Sequence, residues 1–128
     1  MTPLARIYWA LFYELGQGVT QNYPLALKFF QQAADKGNLD ACNSLGLMYY
    51  RGEGVPRNYP QAYQWFKKSA DKGDARGENL LGILYEYGQG VTQDNQQALS
   101  WYQKSAEQDN SDGRVNLQAL RQKTGSKP

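Results

Sequence analysis

The sequence predicts an all-α protein built from stacked helix pairs, and three observations carry that expectation. "GQGV" begins at Gly16, "GEGV" at Gly52 and "GQGV" at Gly88, an offset of 36 residues each time. The same offset carries Tyr13 to Tyr49 and Tyr85, Ala26 to Ala62 and Ala98, and Phe30 to Phe66 and Tyr102. Apolar residues between these landmarks recur at the spacing of a helix rather than of a strand. A fixed period of this length is the mark of a repeat architecture. The repeats divide as 5–40, 41–76 and 77–112, with a partial fourth unit after them. Residues 1–123 are expected to form one domain, and 124–128 a disordered tail, because "TGSKP" offers nothing to bury.

Each repeat reads as two helices. In the second, Ala41, Leu45, Met48 and Tyr49 give the first helix its buried stripe. Gly52 stops that helix by accepting the left-handed conformation of a helix C-terminus, and Gly54 permits a second sharp bend. Val55, matched by Val19 and Val91, plugs the loop against both helices. Asn58, like Asn22 and Asp94, caps the next helix, and Gln61 and Gln97 stand at capping-box spacing. Pro24 and Pro60 fall in the first turn, where a missing N–H does little harm. Ala62, Trp65, Phe66, Ser69 and Ala70 then form one apolar face. Gly37 and Gly73 end these helices, and Asn38 and Asp74 cap the next after a very short turn. Short connections force antiparallel neighbours. The expected helices cover 3–15, 23–36, 39–51, 59–72, 75–87, 95–108 and 111–122, the last a capping helix.

"GEGV" is therefore a helix-to-helix turn. A dinucleotide phosphate cradle needs a strand before its glycines and a third glycine after them, and neither is present. Gly54→Val is accordingly expected to destabilise the fold far more than Gln89→Val.

Composition narrows the function. A chain of 128 residues with 41% hydrophobic and 20% charged residues fits one modest, soluble, globular domain. The net charge of +2 is spread without a basic stripe, so no nucleic-acid partner is expected. No apolar run approaches the roughly 20 residues of a membrane span, so no membrane insertion is expected. "IYWALFY" is too short for a signal peptide and lacks a small-residue cleavage site, leaving bacterial cytoplasm and periplasm both open. With no His and one Cys, the chain has no zinc-type spacing and no Cys–His pair. No cofactor, no metal and no catalytic residue is expected, since no histidine base or activated nucleophile is in view.

The pattern "A…LGLMYYRGEGVPRN…A..WFKKSADKG" resembles the Sel-one-like repeat (SLR) family, a relative of the tetratricopeptide repeats (TPR). The resemblance covers residues 5–112 almost completely. The first repeat departs by placing Trp9-Ala10 where Leu45-Gly46 and Leu81-Gly82 stand, and the fourth has Leu117-Gln118 there and no loop. The resemblance implies a right-handed α-solenoid whose first helices line a concave groove. It also implies a scaffold, adaptor or inhibitor that binds another protein or peptide rather than a catalyst. Two alternatives accompany it. One is a bacterial immunity protein neutralising a secreted toxin. The other is β-lactam binding or hydrolysis as in cysteine-rich relatives, whose paired cysteines this chain lacks.

By that analogy Asp40, Asn43, Leu47, Tyr50 and Arg51 face the groove, as do Arg76, Asn79, Ile83, Glu86 and Tyr87. Asn43 and Asn79 are equivalent and are expected to project amides toward a peptide backbone, with Arg76 holding a carboxylate. A merely solvated helix face is the alternative reading. Trp65 and Trp101 belong to the repeated apolar face and read as core rather than as a ligand box. Cys42 aligns with Arg6, Glu78 and Arg114, which points to a partly exposed, inert thiol.

The N-terminal helix "PLARIYWALFYEL" is apolar almost all round, whereas a terminal repeat normally turns a polar face to water. Ile7 and Tyr8 stand where the next repeat has Asn43 and Ser44. Either an upstream repeat precedes it or this end meets another molecule. A contact through Ile7, Tyr8 and Leu11, including a homo-dimer, is the expectation there.

Overall fold

Six helices and no strand lie among the described residues, 22–125 of the computed structural model. They are α1 Tyr23–Asp35, α2 Leu39–Arg51, α3 Tyr59–Asp71, α4 Ala75–Tyr87, α5 Asn95–Glu107 and α6 Ser111–Thr124. The expected helix over 3–15, with Ile7, Tyr8 and Leu11, lies outside the described residues, as do 126–128. The other six helices stand where the repeat placed them. The last runs two residues beyond its expected end. Thr124 remains helical, its Oγ1 donating to the Leu120 carbonyl at 2.9 Å, and Gly125 closes the helix at φ 73°.

The chain divides into two compact units between Trp65 and Phe66, within α3. In the first unit α1 contributes Ala26, Phe30, Ala33 and Ala34 to a core completed by Ala41, Cys42, Leu45 and Met48 of α2. The alanines let the two backbones approach, and half-buried Trp65 packs against the cluster. Between α2 and α3 the chain turns on Gly52 (φ 70°) and Gly54 (φ 76°). Gly54 leaves no room for a side chain, because a Cβ there would overlap the Cβ of Tyr23. The Tyr23 hydroxyl donates to Glu53 at 3.0 Å and holds the loop to α1. Val55, the expected plug, is half-buried.

Capping follows the sequence with one correction. The side chains of Asn22, Asn38, Asn58, Asp74 and Asp94 accept from the first-turn N–H groups of α1 to α5, and Asn110 does so for α6. The capping box assigned the N–H groups of Asn58 and Asp94 to Gln61 and Gln97. Instead they donate to the Tyr49 and Tyr85 carbonyls, at 2.8 and 2.9 Å. Each loop is thereby closed back onto the last turn of the helix before it, so a carbonyl left without an intrahelical partner is satisfied.

In the second unit α4, α5 and α6 pack against one another around Ala98, Tyr102, Leu117 and Leu120. Gly82 makes the α4–α5 approach. A Cβ there would lie 2.6 Å from two carbons of the fully buried Tyr102 ring. A second matched contact joins α5 to α6. Ser105 Oγ donates to the Ala75 carbonyl at 2.7 Å, and a Cβ on Gly113 would overlap that oxygen. Ser69 and Gly77 repeat the pair, with a Gly77 Cβ falling 2.5 Å from the Ser69 hydroxyl. The equivalent residues of the first unit are Ala33 and Ala41, both fully buried. A hydroxyl on one helix is thus matched by a missing methyl on the next. Where Gly37 and Gly73 end α1 and α3 with positive φ, Asp109 does so after α5 at φ 61°.

Candidate protein-binding surface

On α2, Asp40 is exposed in the first turn, and Leu47 and Tyr50 are half-buried. The Tyr50 ring lies 5.3 Å from that of Tyr59, over which the Arg57 guanidinium sits at 5.4 Å. Exposed Arg51 reaches Glu53 at 3.5 Å, a surface pair of little energetic weight. Asn43 differs from its expectation: it is fully buried within α2 rather than projecting outward. Cys42 is corrected in the same way. It belongs to the core between α1 and α2 instead of being partly exposed. Both errors have one cause. The run Ala41–Gly46 is buried on every side, so a stripe assigned from one face of the helix underestimates how much of α2 is covered.

On α4 of the second unit, Arg76 is exposed and takes no ion pair among the described residues. Asn79, expected in the groove, is only 5% exposed, and its carbonyl oxygen accepts from Asn116 Nδ2 at 2.8 Å. That amide ties α4 to α6, so its first role is structural. Ile83 is half-buried against the core of the unit. Glu86 accepts from the Tyr102 hydroxyl at 2.8 Å and lies 3.6 Å from the Lys123 ammonium. Tyr87 stands 60% exposed at the end of α4, with the Lys123 ammonium 5.6 Å from its ring centroid. The sequence reading missed Val115 of α6, which is 63% exposed. The signal was available: Val115 occupies the repeat position held by Asn43 and Asn79, and an apolar residue there departs from the pattern.

Trp65 and Trp101 are half-buried. Trp65 packs against the first core as expected, and Trp101 carries the Lys104 ammonium 4.4 Å from its centroid. Among the described residues no group of three or more His, Cys, Asp or Glu is arranged to hold a metal ion. No helix among them is long and apolar enough to cross a membrane.

Glu78 is the buried acid of α4, with its Oε1 accepting from Gln108 Nε2 at 2.8 Å. Desolvation by burial pushes its carboxyl above the ordinary carboxylate range, and the Gln108 hydrogen bond and the Lys104 charge oppose that shift. Between the ordinary value and the raised one, the folded protein therefore holds a proton that the unfolded chain has released. This group's contribution is most favourable at acid pH and is lost as pH rises from the ordinary value through the raised one. Glu78→Gln keeps an oxygen for Gln108 and removes the titration. Its melting temperature relative to the parent is expected to rise with pH across that window. A constant difference, measured by calorimetry at several pH values, would contradict the burial argument.

Comparisons with known proteins agree with this geometry. The family pattern described as the Sel1 repeat matches residues 3–38, 39–74 and 75–110. Its period is that of the sequence repeat, with each boundary two residues earlier. A Sel1 repeat protein from Oxalobacter formigenes is 32% identical with a TM-score of 0.79, over 91% of this chain and 88% of that one. A protective antigen of uropathogenic Escherichia coli strains, described as displaying an SLR fold, is 38% identical with a TM-score of 0.84. That match covers 96% of this chain but only 26% of the antigen, so the present chain spans about a quarter of its length. Cysteine-rich protein B of Helicobacter pylori shares the fold at 22% identity and a TM-score of 0.70, over 84% of this chain and 88% of that one. The comparison with curated proteins gave no match.

Proposed function

The chain belongs to the Sel1 repeat family, and from that premise we propose that it holds a partner protein on the first helices of its second unit, α4 and α6. Sel1 repeat proteins are generally protein-interaction modules and typically non-catalytic scaffolds. One observation supports this face: among the described residues the large hydrophobic side chains left most open to solvent are Tyr87 and Val115, and both stand on first helices. Exposed aromatic and apolar anchors are the residues that supply binding energy when a partner covers them. Ile83 and Glu86 precede Tyr87 on α4, and Arg76 stands at the start of that helix. An adaptor and an inhibitor of a secreted toxin would use the same face. On α2, Asp40, Leu47, Tyr50 and Arg51 are the corresponding candidates of the first unit. Affinity capture from cells of the source organism tests the proposal with two baits, the parent and the Tyr87→Ser, Val115→Ser variant. A protein retained by the first and lost from the second is the expected result. Equal retention by both would place the site elsewhere.

A further inference from the structure

The joint between α4 and α6 has a defined register. Asn79 of α4 accepts from Asn116 of α6 at 2.8 Å, and Glu86 lies 3.6 Å from the Lys123 ammonium. Ile83, between these two on α4, packs against the core to which α6 contributes Leu117 and Leu120. One repeat on, α6 presents the same three places with no helix among the described residues over them. Val115 stands for Asn79, Ala119 for Ile83 and Gln122 for Glu86, and all three are exposed. The side of α6 that would seat a second helix is closed. Exposed Gln118 stands where α4 has Gly82, whose missing side chain admits the Tyr102 ring. What α6 leaves uncovered is the seat of a first helix.

The matching half of the joint stands at the opposite end of the sequence. In the repeat register Tyr8 and Leu15 hold the places of Asn116 and Lys123, the α6 side chains that reach α4. The changes on the two halves compensate one another. The amide pair of Asn79 and Asn116 becomes an apolar pair of Val115 and Tyr8, so neither side leaves a polar group unpaired. Tyr8 is larger than Asn116 and Ala119 is smaller than Ile83, which conserves the volume of the joint. Leu15 beside Gln122 replaces Lys123 beside Glu86, and no charge is left alone.

We infer that a second copy of this chain covers the exposed end: the segment around Tyr8 of one copy docks on Val115 and Ala119 of another, continuing the α4–α6 joint from chain to chain. The inference rests on the proposed reading of Val115 as an anchor and names its occupant, while Tyr87 stays available to another protein. The contact is head-to-tail, so copies add in series unless the rotation closes a ring. One helix on one helix is smaller than a standard interface, so assembly depends steeply on concentration.

The test is light scattering on the full chain between about 10 μM and about 1 mM, the span in which weak contacts populate. The mean mass of the parent is expected to rise above that of the monomer across this span. Val115→Asp and Tyr8→Asp are each expected to stay monomeric alone. Mixed in equal amounts they are expected to form dimers and nothing larger, because the mixture holds one intact half of each kind. A monomeric parent, growth that persists in Val115→Asp, or a mixture that stays monomeric while both variants keep the parent's circular-dichroism melt overturns the inference. Should Tyr8→Asp lose that melt, Tyr8→Cys and Val115→Cys proteins mixed under mild oxidation decide instead. Cross-linking faster in the mixture than in either protein alone supports the contact, and equal rates overturn it. A parent that stays monomeric yet retains a captured protein through Tyr87 and Val115 overturns this inference alone. Equal capture by the parent and the Tyr87→Ser, Val115→Ser bait is the separate result that removes the proposed function.

Discussion

Gly54→Val is expected to lower stability by about 2–5 kcal/mol, enough to remove much of the stability of a domain this size. Two independent effects combine. The residue sits at φ 76°, a conformation costing an L side chain on the order of 1–2 kcal/mol. Its Cβ would also overlap the Cβ of Tyr23, and forcing extra atoms into a packed contact costs typically about 1–3 kcal/mol. The loop cannot move away freely, because Glu53 is bonded to Tyr23 and Asn58 to Tyr49. Gln89→Val, in the equivalent loop of the second unit, introduces neither effect and is expected to change the melting temperature little. Equal losses for the two variants by thermal denaturation would contradict this account of the loop.

Gly113→Ala is expected to cost about 2 kcal/mol despite the better helix propensity of alanine. The added methyl meets the Ser105 hydroxyl, which is fully buried and held by the Ala75 carbonyl. Ser105→Ala removes that obstacle and one hydrogen bond worth about 1 kcal/mol. The double variant recreates the pairing of Ala33 and Ala41, which the first unit already accommodates. It is therefore expected to be more stable than Gly113→Ala alone, with a coupling of about 2 kcal/mol in a double-mutant cycle. Additive losses would show that the two residues do not share the contact.

The contrast between these sites shows what a single chain discloses about itself. The helices, their caps and the turns were legible because each device recurs: Gly52 and Gly88, Asn58 and Asp94, Phe66 and Tyr102 repeat the same local chemistry in the same register. Long-range partners were harder to read. Nothing local ties Ser105 to Gly113 or Gly82 to Tyr102, because such pairs are set by how helices meet. The exposure of Arg76 and Tyr87 was legible, since both fall on the outward side of the helical stripe. Exposure was misread at Asn43 and Asn79, which are buried. An amide looks like a surface residue in sequence, yet Asn79 is buried by exchanging its water for Asn116, as hydrogen-bonded polar groups can be. The exposure of Val115 was not legible from the repeat, because Val115 departs from the Asn43 and Asn79 register.

The proposed division between Asn79, a buried amide that ties α4 to α6, and exposed side chains offered to a partner is the centre of this account, and calorimetric titration tests it most directly. The captured partner would be titrated into the parent, into Tyr87→Ser with Val115→Ser, and into Asn79→Ala. The account expects the surface pair to lose at least about tenfold in affinity with no loss of melting temperature, as removal of exposed anchors does. It expects Asn79→Ala to lose melting temperature, since the half-buried Asn116 loses its hydrogen-bond partner. Unchanged affinity in the surface variant, or an undiminished melting temperature in Asn79→Ala, would contradict it.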